Sequence, residues 1–207
     1  MDQPRLSVQW EIVSGSKRWN QNTLSNSQHP LEIEYGLSAL ELLDALQARF
    51  RARVTLEGAV AEVQLTAHLT RLQYEGGIAR FESHDEDGKH DFTLHLPEDK
   101  NIVRIECKNV RNSKRLQVEI QKTRASKNDP SSRYYDASHF EIIAVCLGKK
   151  TRNWKQFFFA SAADLSHHKE YPEKLAVMHS LPASGNADNE IWFSDLRTLL
   201  RKKFPAS

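Results

Sequence analysis

The chain has 207 residues, of which 39% are hydrophobic and 27% are charged, and its net charge is +2. This length allows one domain with a buried core, and the composition is typical of water-soluble proteins. No apolar run approaches the roughly 18 residues that cross a bilayer, and the first residues lack the pattern of a signal peptide. Cys107 and Cys146 lie in apolar runs, which favours buried free thiols over a disulfide or a zinc site. We therefore expect a cytoplasmic protein.

Residues 1–35 are polar and rich in turn-forming residues, which predicts an N-terminal polar segment or small lobe. Residues 36–207 are expected to form a single domain. At the start of this domain, apolar residues recur at helical spacing from Leu37 to Phe50. Ser38 is placed to cap this helix, and Glu41 is placed to complete a capping box. The pattern predicts an amphipathic helix.

A second helix is predicted over about residues 58–73, because apolar residues again recur at helical spacing. The residues expected in its buried stripe are Val60, Val63, Leu65, Leu69 and Leu72. The sequence Tyr-Glu-Gly-Gly at 74–77 should end the helix, since glycine adopts the left-handed backbone that closes helices.

The segments that follow resemble strands separated by turns. Residues 78–84 and 90–96 predict two strands around an acidic turn, and a second turn leads to the apolar segment 101–110. Residues 116–125 fit either a helix or a strand, and their place before a loop favours a helix. Residues 140–148 form an apolar run typical of a strand buried on both faces. Another strand at 154–161 and a helix at about 194–203 complete an α/β fold with a mixed central β-sheet flanked by helices.

One predicted strand places an acid and a base two residues apart, at Glu106 and Lys108. Side chains at this spacing point to the same face, whereas Cys107 points to the other face. An exposed ion pair on an edge strand is one interpretation, and it would contribute only about 0–1 kcal/mol. The alternative is half of a metal-dependent active site, because an adjacent antiparallel strand would bring Asp91 close to Glu106.

Phosphodiester hydrolysis uses a divalent metal ion to activate water and to neutralise phosphate charge. Mg²⁺ prefers carboxylate oxygens and water, and Asp91 and Glu106 can supply two carboxylates. The backbone carbonyl of Cys107 is a candidate third ligand. Lys108 is placed to orient the attacking water and to stabilise its deprotonated form. Asp91 is preferred over the neighbouring acids because those lie in predicted turns, where carboxylates are solvated. These neighbours are Asp85, Glu86, Asp87, Glu98 and Asp99.

This arrangement resembles the motif of the PD-(D/E)XK nuclease superfamily. It consists of Asp91, fourteen intervening residues and the triplet 106–108. Glu62, on the preceding helix, resembles the additional acidic residue of that family. Gln121 is similar to a glutamine that follows the lysine in some branches. His90 stands where the motif names a proline. The resemblance covers about residues 37–160 and is strongest to restriction-type endonucleases.

The resemblance implies a restriction-endonuclease-like core and a Mg²⁺-dependent DNA endonuclease, most similar to type II restriction enzymes, with Mn²⁺ as a substitute ion. Asp91, Glu106, the Cys107 carbonyl and Glu62 would then hold metal. Lys108 would assist the nucleophile, and Gln121 would complete the catalytic set. Alternative functions are a structure-specific repair nuclease or resolvase, and a non-catalytic nucleic-acid-binding module with a nuclease-like core.

The segment from Lys100 to Arg133 has ten basic and three acidic residues, a net charge of 10 − 3 = +7. A basic stripe beside a candidate acidic site indicates a polyanionic substrate, here double-stranded DNA. The candidate DNA-contacting residues are Lys114, Arg115, Lys122, Arg124, Lys127, Arg133 and Tyr134. A palindromic target would imply a homodimer, because the two-fold symmetry of the protein then mirrors that of the DNA. The sequence has no glycine-rich phosphate loop, so no nucleotide cofactor is expected, and no membrane partner is expected.

Histidines offer a rival zinc site, at His84, His90 and His95 near Asp91 and at the pair 167–168. The sequence has neither the H-E-x-x-H pattern nor a Cys/His spacing typical of zinc sites. Surface or supporting roles are therefore favoured for these histidines.

Overall fold

The computed structural model describes residues 9–13, 16–20, 28–97, 102–122, 126–183 and 190–205. The chain divides into two compact units, Met1–Leu56 and Glu57–Ser207. None of the helices in these described ranges combines the length and apolarity that crossing a membrane requires.

The first unit contains a hairpin and two short helices. Strands β1 (Gln9–Val13) and β2 (Ser16–Asn20) pair antiparallel, and helices α1 (Pro30–Tyr35) and α2 (Ala39–Ala48) follow. The Ser38 hydroxyl accepts a hydrogen bond from the Glu41 amide at 3.3 Å, and the Glu41 carboxylate accepts one from the Ser38 amide at 2.8 Å. The predicted capping box is thus confirmed, and a helix is present as predicted, but it ends at Ala48 with Arg49 extended, and Phe50 begins the next helix.

Helix α3 (Phe50–Tyr74) begins earlier than predicted and spans the boundary between the two units. Its buried residues lie on one side of the helix and pack against a sheet: Ala61, Leu65, Leu69 and Leu72. The predicted burial of Val63 is wrong, since this side chain is 41% exposed. Val63 lies two residues before Leu65, and side chains two residues apart on a helix point to nearly opposite sides. The helix closes as predicted, with Gly76 at a φ of 73°.

The second unit is built on a six-stranded sheet. The described part of this unit contains eight strands, six in this sheet and two in a separate pair. In chain order they are β3 (Arg80–Ser83), β4 (Phe92–His95), β5 (Ile102–Asn109), β6 (Gln117–Glu119), β7 (Ile142–Cys146), β8 (Phe157–Ser161), β9 (Met178–Ser180) and β10 (Trp192–Phe193). The six-stranded sheet has the order β10–β8–β7–β5–β4–β3, and β6 pairs with β9 separately. Strands β5 and β7 are parallel, and every other neighbouring pair is antiparallel.

The sheet separates two apolar cores. A short helix, α4 (Gly148–Thr151), links β7 to β8, and the last helix is α5 (Leu196–Lys203). Helices α3 and α5 pack on one face of the sheet. The small β6–β9 sheet and the connecting segments pack on the other face. The predicted α/β fold, with a mixed central sheet and flanking helices, is confirmed.

The predicted helix over residues 116–125 is wrong in the part that the structure describes, because residues 117–119 form β6. Val118 and Ile120 are fully buried together with Val110, whereas Glu119 between them is only partly buried. This alternation has the period of a strand, and burial against the second core decides between the two patterns.

Substitutions at two glycines of the second unit are expected to change its free energy of unfolding in opposite directions. A methyl group at Gly148 would overlap the ring of Trp154. Gly148→Ala is therefore expected to lower the free energy of unfolding by about 1–3 kcal/mol. Gly58 lies inside α3 with open space around its Cα, so Gly58→Ala is expected to raise that free energy by about 0.5–1 kcal/mol. Urea denaturation measures both values, and destabilisation by both variants would contradict this packing.

Candidate active site

The candidate site lies where strand β4 stops pairing with β5. Their last paired residues are Phe92 and Ile105, whereas β5 continues to Asn109 with β7 as its partner. Beyond this point the Cys107 amide donates to the side chain of Asp91, with 2.6 Å between N and Oδ2. The antiparallel register places Asp91 across from Glu106. The separation of the two strands thus brings both predicted carboxylates together.

Glu106 is a buried carboxylate with one satisfied and one unsatisfied oxygen. Its side chain is almost inaccessible to solvent, and its Oε1 accepts hydrogen bonds from the Lys108 ammonium and from the Tyr135 hydroxyl, the latter at 2.5 Å. Its Oε2 is buried and has no hydrogen-bond partner among the described residues. An unpaired buried oxygen of this kind costs roughly 1–3 kcal/mol or more. A cation bound at Oε2 would remove that cost.

The environment of Asp91 disfavours its charged form. Burial, followed by repulsion from the Glu106 carboxylate, raises the pKa of Asp91 to about 7, although the Cys107 amide partly opposes this shift. Glu62, on α3, adds to the repulsion. Asp91 therefore titrates near neutral pH when no cation is bound.

Glu62 lies in the same electrostatic field. Burial raises its pKa, Lys108 opposes the shift, and Asp85 and Glu106 add to it. Within the second unit, helix α3 is also tied to the end of β5, because the Asn109 side chain donates to the Glu57 carbonyl at 3.0 Å. Glu106 therefore makes the ionisation of both Asp91 and Glu62 more costly, and Glu62 adds to the cost at Asp91.

Lys108 supplies the positive charge of the site. Burial, the largest single influence, opposes its charged form, but Glu106, Tyr135 and Asp91 together outweigh burial and raise the pKa of Lys108 above its usual range. Tyr135 stays protonated, because burial raises its pKa, with a smaller contribution from Glu106. The pair Lys108 and Tyr135 thus consists of two hydrogen-bond donors to one carboxylate oxygen.

The donor set fits a hard divalent cation. It offers clustered carboxylates, an unsatisfied oxygen on Glu106 and raised pKa values that a cation would lower. In the described part of the chain, the side chains form no ready-made group of three or more His, Cys, Asp or Glu residues around a metal position. The carboxylates instead contact protein donors, with Asp91 on the Cys107 amide and Glu106 on Lys108 and Tyr135.

Gln121 is the member of the predicted catalytic set that shows no contact with the site. Its side chain donates to Glu119 and makes no hydrogen bond to Asp91, Glu106 or Lys108 in the described ranges. A catalytic role for Gln121 stays a prediction.

The predicted DNA-contacting residues differ in their relation to the site. Lys122 is half-buried, and its Nζ lies 5.6 Å from the centre of the Tyr135 ring, while the Lys108 Nζ lies 5.4 Å from the same centre. Tyr134 stacks on His168 with 4.4 Å between ring centres. The exposed members of the set are Lys114, Arg115, Lys127 and Arg133. Arg124 lies outside the described residues.

Tyr135 is the residue of the site that sequence reasoning did not identify. Its neighbour Tyr134 was the predicted DNA contact. Tyr135 is 6% exposed and donates to Glu106, which lies in a different strand. A buried tyrosine normally finds a partner for its hydroxyl, but local sequence does not name that partner.

Of the histidines near Asp91, His84 and His90 contact a neutral hydroxyl, whereas the Nε2 of His95 lies 3.3 Å from a carboxylate oxygen of Glu82. The Nε2 atoms of His84 and His90 lie 2.8 and 2.7 Å from the Thr93 hydroxyl, and His167 contacts the Pro172 carbonyl. Two surface cavities lie in the second unit, and neither is lined by Asp91, Glu106 or Lys108.

Comparison with known proteins does not assign a family. No family model and no curated protein matches the chain. Among solved structures, that of a bacterial homing endonuclease, I-Ssp6803I, is similar, with a TM-score of 0.43 and 11% identity over 66% of this chain and 82% of that chain. A likeness at this level does not establish membership of the PD-(D/E)XK superfamily. The function has to be argued from the site itself.

The raised pKa of Asp91 predicts how stability depends on pH without metal. Below pH 3.8 the carboxyl is protonated in both the folded and the unfolded chain, whereas from pH 3.8 to about 7 only the unfolded chain ionises. Stability should therefore fall across this range relative to Asp91→Asn, by roughly 4 kcal/mol at most, and level off above it. Urea denaturation in EDTA from pH 4 to 8 measures the difference between the two proteins. A difference that is independent of pH would contradict the raised pKa.

The Tyr135 hydroxyl can be tested with a matched neighbour. Tyr135→Phe removes one donor from the buried Glu106 carboxylate, so it should lower the free energy of unfolding by about 1–3 kcal/mol. The Tyr134 hydroxyl makes no hydrogen bond with any described residue, so Tyr134→Phe should change that free energy by less than about 0.5 kcal/mol. Equal effects of the two substitutions in urea denaturation would argue against the bond to Glu106.

Proposed function

We propose that this protein is a divalent-metal-dependent DNA endonuclease of the restriction type. The observation that carries the proposal is the meeting of Asp91 and Glu106 where β4 and β5 separate, with Lys108 beside Glu106. A structural ion pair alone does not account for a second carboxylate at the same point, or for its pKa of about 7. The resemblance of these residues to the PD-(D/E)XK motif supports the same proposal.

Mg²⁺ is the proposed cofactor, with Mn²⁺ as a substitute. Asp91, Glu106 and the Cys107 carbonyl are its proposed ligands, and Glu62 adds a further carboxylate. In an antiparallel pair, the N–H and C=O of one residue lie on the same edge of the strand. The Cys107 carbonyl therefore lies on the edge of β5 whose amide donates to Asp91. The bound ion supplies activation of water and neutralisation of phosphate charge.

Lys108 acts as a fixed positive charge in the proposed reaction. A water oxygen attacks phosphorus and gives up a proton to solvent, one P–O ester bond breaks and its leaving oxygen takes up a proton, and negative charge develops on the oxygens of the phosphate. The raised pKa of Lys108 keeps the ammonium protonated at neutral pH, so it stabilises this charge rather than accepting a proton. Tyr135 and Glu106 hold the ammonium on the catalytic face of β5.

Double-stranded DNA is the proposed substrate. Lys122 lies beside Tyr135, with its Nζ 5.6 Å from the centre of the ring whose hydroxyl donates to Glu106. The exposed Lys114, Arg115, Lys127 and Arg133 are proposed phosphate or base contacts, together with Arg124 and Tyr134. Contacts of lysine and arginine with phosphates release counterions, so binding should weaken steeply as salt increases.

Cleavage of supercoiled plasmid tests the proposed activity. The purified protein should nick or linearise plasmid in Mg²⁺ but not in EDTA. Asp91→Ala and Lys108→Ala should each reduce the rate at least about 100-fold, because each removes a charge that acts in the transition state. Lys169→Ala removes an exposed lysine outside the proposed contacts and serves as the control, with an unchanged rate.

The pattern of products separates the alternatives. Discrete fragments from linear DNA would support restriction, whereas selective cutting of junctions or flaps would identify a repair nuclease or resolvase. Binding of DNA without cleavage, across Mg²⁺ and Mn²⁺ and all of these substrates, would overturn the enzymatic proposal and favour a binding module.

A further inference from the structure

The turn that follows β7 carries a concentrated positive charge. Residues 148–155, here termed the basic turn, have a net charge of +4. Their charged residues are Lys149, Lys150, Arg152 and Lys155, and none is acidic. The basic turn includes α4, which begins two residues after the end of β7. Because β5 and β7 are parallel, with Lys108 paired to Val145, the basic turn leaves the sheet at the edge where the candidate site lies.

Contacts on both sides hold the basic turn at this edge. The Lys149 ammonium lies 2.6 Å from the Glu57 carboxylate, which belongs to α3. The Lys150 ammonium donates to the Ser113 carbonyl, in the segment that follows β5. These contacts fix the position of α4 and engage both lysine side chains within the protein.

Arg152 is held in a backbone conformation that arginine rarely adopts. Its φ is 60°, and among the described residues it is the only one other than glycine with a positive φ. Its amide donates to the Gly148 carbonyl at 2.9 Å and closes α4. Glycine is usual at such a helix end, because the left-handed backbone disfavours a side chain. The chain therefore keeps an arginine where glycine would be less strained, and such a sacrifice is typical of functional residues.

The guanidinium of Arg152 has no partner within the described part of the protein. The residue is exposed, and its side chain forms no hydrogen bond or ion pair with any described residue. Lys149 and Lys150, in contrast, are both engaged. A guanidinium presents its N–H donors in a planar fork that matches two oxygens of one phosphate. A fixed turn with one unpaired arginine therefore offers a binding position for a phosphate.

We propose that Arg152 binds a backbone phosphate of the DNA substrate beside the candidate active site. This inference rests on the proposed function, because it takes DNA as the ligand, and it adds a contact outside the segment from Lys114 to Tyr134. The reacting phosphate lies at the edge of the sheet that carries Glu106 and Lys108, so neighbouring phosphates of the same duplex are the anions that approach the basic turn. A phosphate contact fixes the register of the duplex and is independent of its sequence.

Substitution of Arg152 separates a DNA contact from a structural role. Binding of a labelled duplex, about three helical turns long, is measured by fluorescence anisotropy in EDTA, where no cleavage is expected. Arg152→Gly should bind about 10-fold or more weakly, because one charged contact is lost. The same variant should unfold at the wild-type temperature or up to about 4 °C above it, because glycine adopts this backbone without strain. Arg152→Asn, which also tolerates the left-handed backbone, should show the same loss of binding.

A phosphate contact has further signatures in the same assay. The loss of affinity should be equal on a duplex of mixed sequence and on a duplex of A·T pairs only, because the backbone is the same in both. The slope of log affinity against log salt should become shallower by about 1. Arg152→Lys keeps the charge but not the planar fork, so it should recover part of the affinity.

Arg201→Ala is the matched control. Arg201 is also exposed, and it lines a cavity together with Glu75, which follows the end of α3. Glu75 is eighteen residues after Glu57 in the sequence, roughly 27 Å along a helix. Removal of this arginine should leave both the affinity and the salt dependence unchanged.

Four results decide against the contact or against its basis. Wild-type affinity and salt slope in Arg152→Gly would show that Arg152 does not bind DNA. A loss confined to the mixed duplex would assign a base contact and overturn the phosphate contact. A lower unfolding temperature in both Arg152→Gly and Arg152→Asn would show that the side chain stabilises the turn. A wild type that binds neither duplex would remove the DNA substrate and with it the proposed function, whereas a wild type that binds without cleaving would remove the activity alone.

Discussion

The burial of the Glu106 carboxylate is the constraint on which the site depends. An ionised carboxylate removed from water is costly unless it is paired and hydrogen-bonded. Lys108 provides a positive charge from the same strand, and Tyr135 provides a hydroxyl from the segment that leads to β7. That hydroxyl also fixes the segment after β6 against the sheet. Because only one carboxylate oxygen is satisfied, the arrangement stabilises the position of Glu106 without completing its ligands.

Local patterns in the sequence predicted the features that depend on neighbouring residues. The Ser38 capping box, the glycine termination of α3 and the strands β4, β5, β7 and β8 follow from spacings within a few residues. The shared face of Glu106 and Lys108 follows from the period of a strand, and the placement of Asp91 follows from the turn that joins two antiparallel strands. In each case, short-range geometry leaves few alternatives.

The remaining features depend on contacts that are distant in sequence. Strand β6 was taken for a helix because its period is ambiguous, and only the second core, with Val118 and Ile120 inside it, decides the outcome. Tyr135 could be recognised as a partner for a buried acid only after β5 and the segment before β7 were in contact. The long start of α3 carries exposed apolar residues such as Phe50, which a search for a buried stripe does not explain.

The proposed function begins where charge and burial disagree. In the second unit, Asp91 and Glu106 are buried in positions that raise the cost of their charges, a sacrifice of stability that is typical of functional sites. This disagreement identifies the kind of group that would relieve it, because a small cation bound between clustered carboxylates offsets their mutual repulsion and satisfies the unpaired oxygen of Glu106.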